Sequence, residues 1–121
     1  IIARRLAVQN NSLALVTGEC VGQVASQTLE SMVAINDVTN MPVLRPLVGF
    51  DKTQIIELAH QLGSYDISVQ PYEDCCTLFL PKHPSTKPNL QKVRLAEEEL
   101  DIEALIEASL EKTEVITIYR D

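Results

Sequence analysis

Two adjacent thiols, Cys75 and Cys76, lie in a stretch that holds four of the six prolines of the chain: Pro71, Pro81, Pro84 and Pro88. A thiolate is a strong nucleophile, and a proline-framed loop at 71–88 is a place where one can be presented to a second molecule. Lys82 or His83 would stabilise such a thiolate, whereas Glu73 and Asp74 would raise the thiol pKa. Cys76 precedes Leu78-Phe79-Leu80 and is expected to pack inward, which makes Cys75 the candidate nucleophile. A disulfide between neighbours would be strained, so reduced thiols are expected. Cys20, Cys75 and Cys76 with His60 or His83 fit no common zinc-ligand spacing, and no metal site is assigned. Cys20 reads as structural, and His60 as a residue on the edge of a helix.

The second candidate runs from Gly18-Glu19 through Gly22-Gln23 to Ser26-Gln27-Thr28. A ligand could approach the backbone closely at Gly18, and the amide of Gln27 could bond a base or ribose edge. The bland reading stands beside it: the two glycines permit a tight turn, and Gln27 is a surface residue. Lys82, Lys87, Lys92 and Arg94 follow one another with no acid between them. They suit phosphate contacts or a merely solvated loop. Glu97-Glu98-Glu99 reads as a solvated helix face.

These residues need elements to hold them. Residues 1–11 read as the last turns of a helix ending at Asn10-Asn11-Ser12. Leu13-Ala14-Leu15-Val16 is a short apolar run that suits a strand covered on both faces, as in a parallel sheet. Val21, Val24, Ala25, Thr28, Leu29 and Met32 recur at steps of three and four and predict a helix over 21–36, with Gln27 well inside it. A second strand is expected at Val43–Val48, ended by Pro46. Asp51 with Gln54 forms a capping-box pair ahead of Ile55, Leu58, Ala59 and Leu62, and Gly63 closes that helix. Helical stretches are expected at Leu90–Leu100 and Ile102–Leu110, and a last strand at Val115–Tyr119. There is no internal repeat.

The chain of 121 residues, 45% hydrophobic and 22% charged, suits one soluble α/β domain. No apolar run is long enough to span a bilayer, and no basic-then-apolar start resembles a signal peptide. The first 96 residues balance 8 basic against 8 acidic side chains, and the last 25 carry the whole net charge of −7. An acidic surface argues against nucleic-acid binding by this piece alone. The opening Ile1-Ile2-Ala3-Arg4-Arg5 lacks an initiator methionine and reads as mid-helix, so a longer parent is expected.

In order along the chain, Thr17-Gly18-Glu19, Gly22-Gln23-Val24-Ala25-Ser26-Gln27-Thr28, Arg45-Pro46-Leu47, Asp51-Lys52, Ile55-Ile56, Tyr72-Glu73-Asp74-Cys75-Cys76 and Thr86-Lys87-Pro88 resemble the tRNA 4-thiouridine synthase family. Its members are also thiamine-biosynthesis sulfurtransferases. The resemblance covers nearly the whole of 1–121 and implies the C-terminal part of a PP-loop ATP-pyrophosphatase domain, a doubly wound parallel α/β sheet of the adenine nucleotide alpha-hydrolase kind. It implies that ATP, as Mg-ATP, adenylates a tRNA uridine and that persulfide sulfur displaces AMP. Gly18 and Gln27 map onto nucleotide contacts and Cys75 onto the functional cysteine, which accepts sulfur or resolves the persulfide. Cys76 receives no role. Implied partners are tRNA, a cysteine desulfurase and the sulfur-carrier protein of thiamine synthesis, in the cytoplasm and away from membranes, with a homodimer left open.

Several family parts are missing from these residues. They contain no Ser-Gly-Gly-x-Asp-Ser loop, no RNA-binding (THUMP) domain and no rhodanese-like segment. The piece is therefore expected to bind ATP weakly and to be inactive alone. Two rivals stay open: another PP-loop tRNA thiolation enzyme, and a non-catalytic module that docks a partner through its acidic C-terminal helices.

Overall fold

The backbone alternates helix and strand as the sequence pattern requires. The computed structural model describes residues 1–24, 27–72 and 87–119. Helix α1 (Ile2–Gln9) leads into strand β1 (Leu15–Val16), helix α2 (Leu29–Asp37), strand β2 (Val43–Leu44) and helix α3 (Lys52–Gln61). A single-turn helix α4 (Tyr65–Ser68) follows, then α5 (Leu90–Glu97) and α6 (Ile102–Glu111). β1 and β2 pair in parallel, with Leu15 opposite Val43 and Val16 opposite Leu44. That small parallel sheet with helical connections gives the expected α/β class. Pro46 stands just past β2, in the turn that follows it.

α3 shows how far local chemistry determines an element. Asp51 accepts from the Gln54 backbone N–H, and the Gln54 side chain accepts from the Asp51 N–H, both at 2.9 Å. At the other end Gly63 takes φ +69, its N–H donates to His60 O at 3.1 Å, and Ser64 N–H donates to Ala59 O at 3.0 Å. This is a complete Schellman closure, open to glycine because the left-handed region has no Cβ penalty there. His60 stacks on Tyr65 of α4 with ring centroids 3.9 Å apart. It stays exposed on the helix edge, as expected.

Three expectations need correction. The helix predicted over 21–36 begins only at Leu29, so Gln27 precedes it instead of lying inside it. Gly22 takes φ +80, which breaks the helical path, and the Thr28 hydroxyl accepts from the Ser31 N–H at 3.2 Å as a cap. A capping side chain and a left-handed residue outweigh apolar periodicity here. The strand expected to be covered on both faces leaves Leu13 88% and Val16 70% exposed. Finally, Val115–Tyr119 is no strand and its apolar side chains are exposed. A strand exists by pairing, and among the described residues only β1 and β2 pair.

The small core among the described residues is Ala7, Cys20, Met32 and Ile106. Side-chain ties supplement it. Arg5 of α1 pairs with Glu103 of α6. Arg94 of α5 clamps Asp37 at the end of α2, Nη2 to Oδ1 at 2.6 Å and Nε to Oδ2 at 3.0 Å. Hydrogen bonding to Asp37, and then its charge, raises the Arg94 pKa. Arg94 therefore holds two helices together, whereas Lys87 and Lys92 stand exposed. Among the described residues no helix is long and apolar enough to cross a membrane.

Candidate functional site

Both parallel strands end at the same edge of the sheet, and both release loops there. From β1 the chain runs through Thr17 and Gly18 to the buried Cys20. The Val21 N–H donates to Val48 O at 3.1 Å, tying this loop to the one after β2. Gly22 N–H donates to Gln27 O and Gln27 N–H to Val24 O, each at 3.0 Å, so the loop closes on itself. Gln27 then folds back onto Cys20: its Oε1 accepts from the Cys20 N–H at 3.2 Å and from the Cys20 thiol at 3.3 Å.

A half-buried ion pair braces the two loops. Arg45 Nε donates to Glu19 Oε2 at 2.8 Å, with the two side chains 11% and 17% exposed. The Thr17 hydroxyl donates to the same oxygen at 2.7 Å, and Arg45 Nη2 donates to Asn36 Oδ1 at 2.9 Å. The Thr-Gly-Glu and Arg-Pro-Leu segments are thus joined by one network across 26 residues of sequence.

A cavity of about 320 Å³ opens between these loops and the start of α3. Gly18, Cys20, Gln23 and Gln27 line it from the first loop, Leu47 from the second, and Lys52 and Ile55 from α3. Gly18 and Gln27, nine positions apart, therefore share one hollow at the carboxyl end of the sheet, where open α/β sheets take ligands. The two glycines separate the readings left open by sequence. Gly22 needs its φ of +80 for the turn. Gly18 is not in the left-handed region, and a Cβ built there meets nothing within 4 Å. Neither turn geometry nor packing requires glycine at 18. Open access to its backbone is what a side chain would remove.

Lys52 is the positive charge of this wall, and residue typing alone did not single it out. It directly follows the Asp51 cap, in the first turn of α3. A lysine directly after the N-cap of a capping box, behind a second β-strand, was the available signal. Cys20 is structural, as expected, although its two bonds go to a candidate ligand residue. Cys75 and Cys76, with Lys82 and His83, lie outside the described residues. A larger apolar hollow of about 570 Å³, between α1, α2, α5 and α6, carries little reactive chemistry.

Comparison with known proteins gives this geometry a context. Residues 1–102 match the model of the family described as ThiI, thiamine biosynthesis protein. The chain is similar to a probable tRNA sulfurtransferase of Halothermothrix orenii, 57% identical over 119 residues that cover 97% of this chain and 30% of the relative. A probable tRNA sulfurtransferase of Acetivibrio thermocellus is 52% identical over 120 residues, covering 99% of this chain and 31% of its own length. Among solved structures, a 4-thiouridine synthetase in complex with RNA and with bound ATP superposes with a TM-score of 0.84 at 44% identity, over 92% of this chain and 29% of that one. The chain thus spans about 30% of the length of the relatives it matches. By the match over residues 1–102, and by the fold and motif order that accompany it, the chain belongs to the ThiI thiamine biosynthesis protein family.

Proposed function

We propose that this chain is part of an ATP-dependent tRNA sulfurtransferase and supplies the nucleoside side of its ATP site, within a doubly wound PP-loop domain. The observation that carries this reading is the single hollow shared by Gly18 and Gln27, open at Gly18 where no packing demands glycine. The residues fit such a ligand. Gly18 leaves room for a flat or sugar-like group against the backbone, Gln27 offers an amide, and Lys52 supplies positive charge toward phosphate. The solved relative with RNA and bound ATP supports both ligands.

In the reaction, the uracil carbonyl oxygen of a tRNA uridine attacks the α-phosphorus of ATP and pyrophosphate leaves. The adenylated oxygen is then a leaving group. The outer sulfur of a persulfide, delivered by a separate cysteine desulfurase, attacks that ring carbon and AMP departs. A second thiol then attacks the carrier sulfur of the resulting mixed disulfide, which releases 4-thiouridine and leaves a disulfide that an external thiol reductant reduces on each turn. Gly18 and Gln27 hold and orient the nucleotide, and Cys75 takes part in the sulfur transfer as acceptor or resolving thiol. The same sulfur chemistry serves the sulfur-carrier protein of thiamine synthesis. The enzyme works in the cytoplasm, and a homodimer is compatible with this scheme. The 121 residues alone lack the phosphate-cradling loop and are inactive.

Gly18→Val in the full-length protein tests the site. The first added carbon meets no protein atom within 4 Å, so the variant is expected to keep its unfolding midpoint while ATP affinity falls at least about tenfold. Unchanged ATP affinity would remove the assignment.

A further inference from the structure

Gln27 has an amide whose two ends are not equivalent in this loop. The Cys20 backbone N–H faces its Oε1 at 3.2 Å, and the Cys20 thiol reaches the same atom at 3.3 Å. A backbone N–H can only donate, so the atom opposite it must be the carbonyl oxygen. Turning the carboxamide over would set donor against donor. Cys20 is only 6% exposed, so water competes poorly for the contact. The oxygen of Gln27 is thereby committed to the loop. Its Nε2, with two N–H donors, is the polar end left for the hollow, and among the described residues it donates to none.

From this geometry we infer that Gln27 reads the nucleotide as a donor only, so that the ligand atom it meets is a hydrogen-bond acceptor, a polarity set by Cys20. The inference rests on the hollow being the nucleotide site proposed above. An adenosine offers ring nitrogens N1, N3 and N7 as acceptors, together with its ribose oxygens. Its exocyclic amino group is excluded as the partner of Gln27. A ligand that presents a donor at this point meets a second donor, and the contact is lost.

The test uses the full-length protein and ATP analogues that each lack one acceptor: 1-deaza-, 3-deaza- and 7-deaza-ATP, and the 2′-deoxy and 3′-deoxy forms. ATP itself binds wild type. One analogue binds wild type about three- to tenfold more weakly, the worth of one neutral hydrogen bond, and shows no further loss against Gln27→Ala. Gln27→Glu keeps the length and still accepts from Cys20, but turns an oxygen toward the ligand. Its ATP affinity is at least about tenfold below wild type at pH 8 and recovers as falling pH returns a proton to the carboxyl. A merely structural role for Gln27 would give no such pH-dependent recovery. Equal ATP affinity of wild type and Gln27→Glu, or analogue losses that are the same in wild type and Gln27→Ala, overturns the inference while leaving the site in place. Failure of wild type to bind ATP overturns the site reading, and the inference with it.

Discussion

Arg45→Met removes the guanidinium that joins the two loops and keeps most of the side-chain volume. Glu19 would then retain only the Thr17 hydroxyl bond, with its carboxylate 17% exposed, and Asn36 would lose its donor. Exposed ion pairs contribute about 0–1 kcal/mol, and breaking a buried pair costs about 3–5 kcal/mol. At 11% and 17% exposure this pair lies toward the buried end without reaching it, which gives about 2–3 kcal/mol for Arg45→Met. The Glu19→Gln, Arg45→Met double variant leaves no unpaired charge and recovers about half of that loss. Equilibrium urea unfolding of wild type, both single variants and the double variant reads the cycle. A loss below about 0.5 kcal/mol for Arg45→Met, with no coupling in the cycle, would show that the brace is solvent-screened and does not shape the hollow.

The remaining expectations are simpler to read. Gly63→Ala puts a Cβ at φ +69 in the Schellman closure of α3, and urea unfolding should register a loss of about 1 kcal/mol; a neutral result would mean that the helix end relaxes freely. In the full-length protein, Cys75→Ser should abolish or severely reduce 4-thiouridine formation while circular dichroism stays native. Cys76→Ser should be milder and act through stability, so equal loss in both would refute the separate roles.

What the sequence made legible was whatever depends on near neighbours. Asp51, Gln54 and Gly63 specify α3 with three local bonds, and the strand–glycine–helix order already pointed to the edge beyond β1 where the Gly18–Gln27 hollow opens. The start of α2 was misread because Val21, Val24 and Leu29 keep helical spacing through a segment that Gly22 and the Thr28 cap hold out of the helix. Periodicity records which residues are apolar, and it is blind to where the chain reverses. The same reversal brings Gln27 back to Cys20, so the lock on its amide could not be read from a helix expected to run straight through 21–36. Lys52 entered the wall only once the second loop and α3 were placed. Strand coverage and the Val115–Tyr119 strand failed for a different reason: both depend on partners far along a chain, which propensity does not name.

The central claim is tested most directly by thiolation itself. Full-length protein is incubated with unmodified tRNA, Mg-ATP, a cysteine desulfurase, sulfur-labelled cysteine and a dithiol reductant, and the digested nucleosides are analysed by mass spectrometry alongside the nucleotide products. The account predicts labelled 4-thiouridine that appears only with ATP, with one AMP and one pyrophosphate released per thiolated uridine. Release of ADP and phosphate, or 4-thiouridine formed at the same rate without ATP, would contradict it.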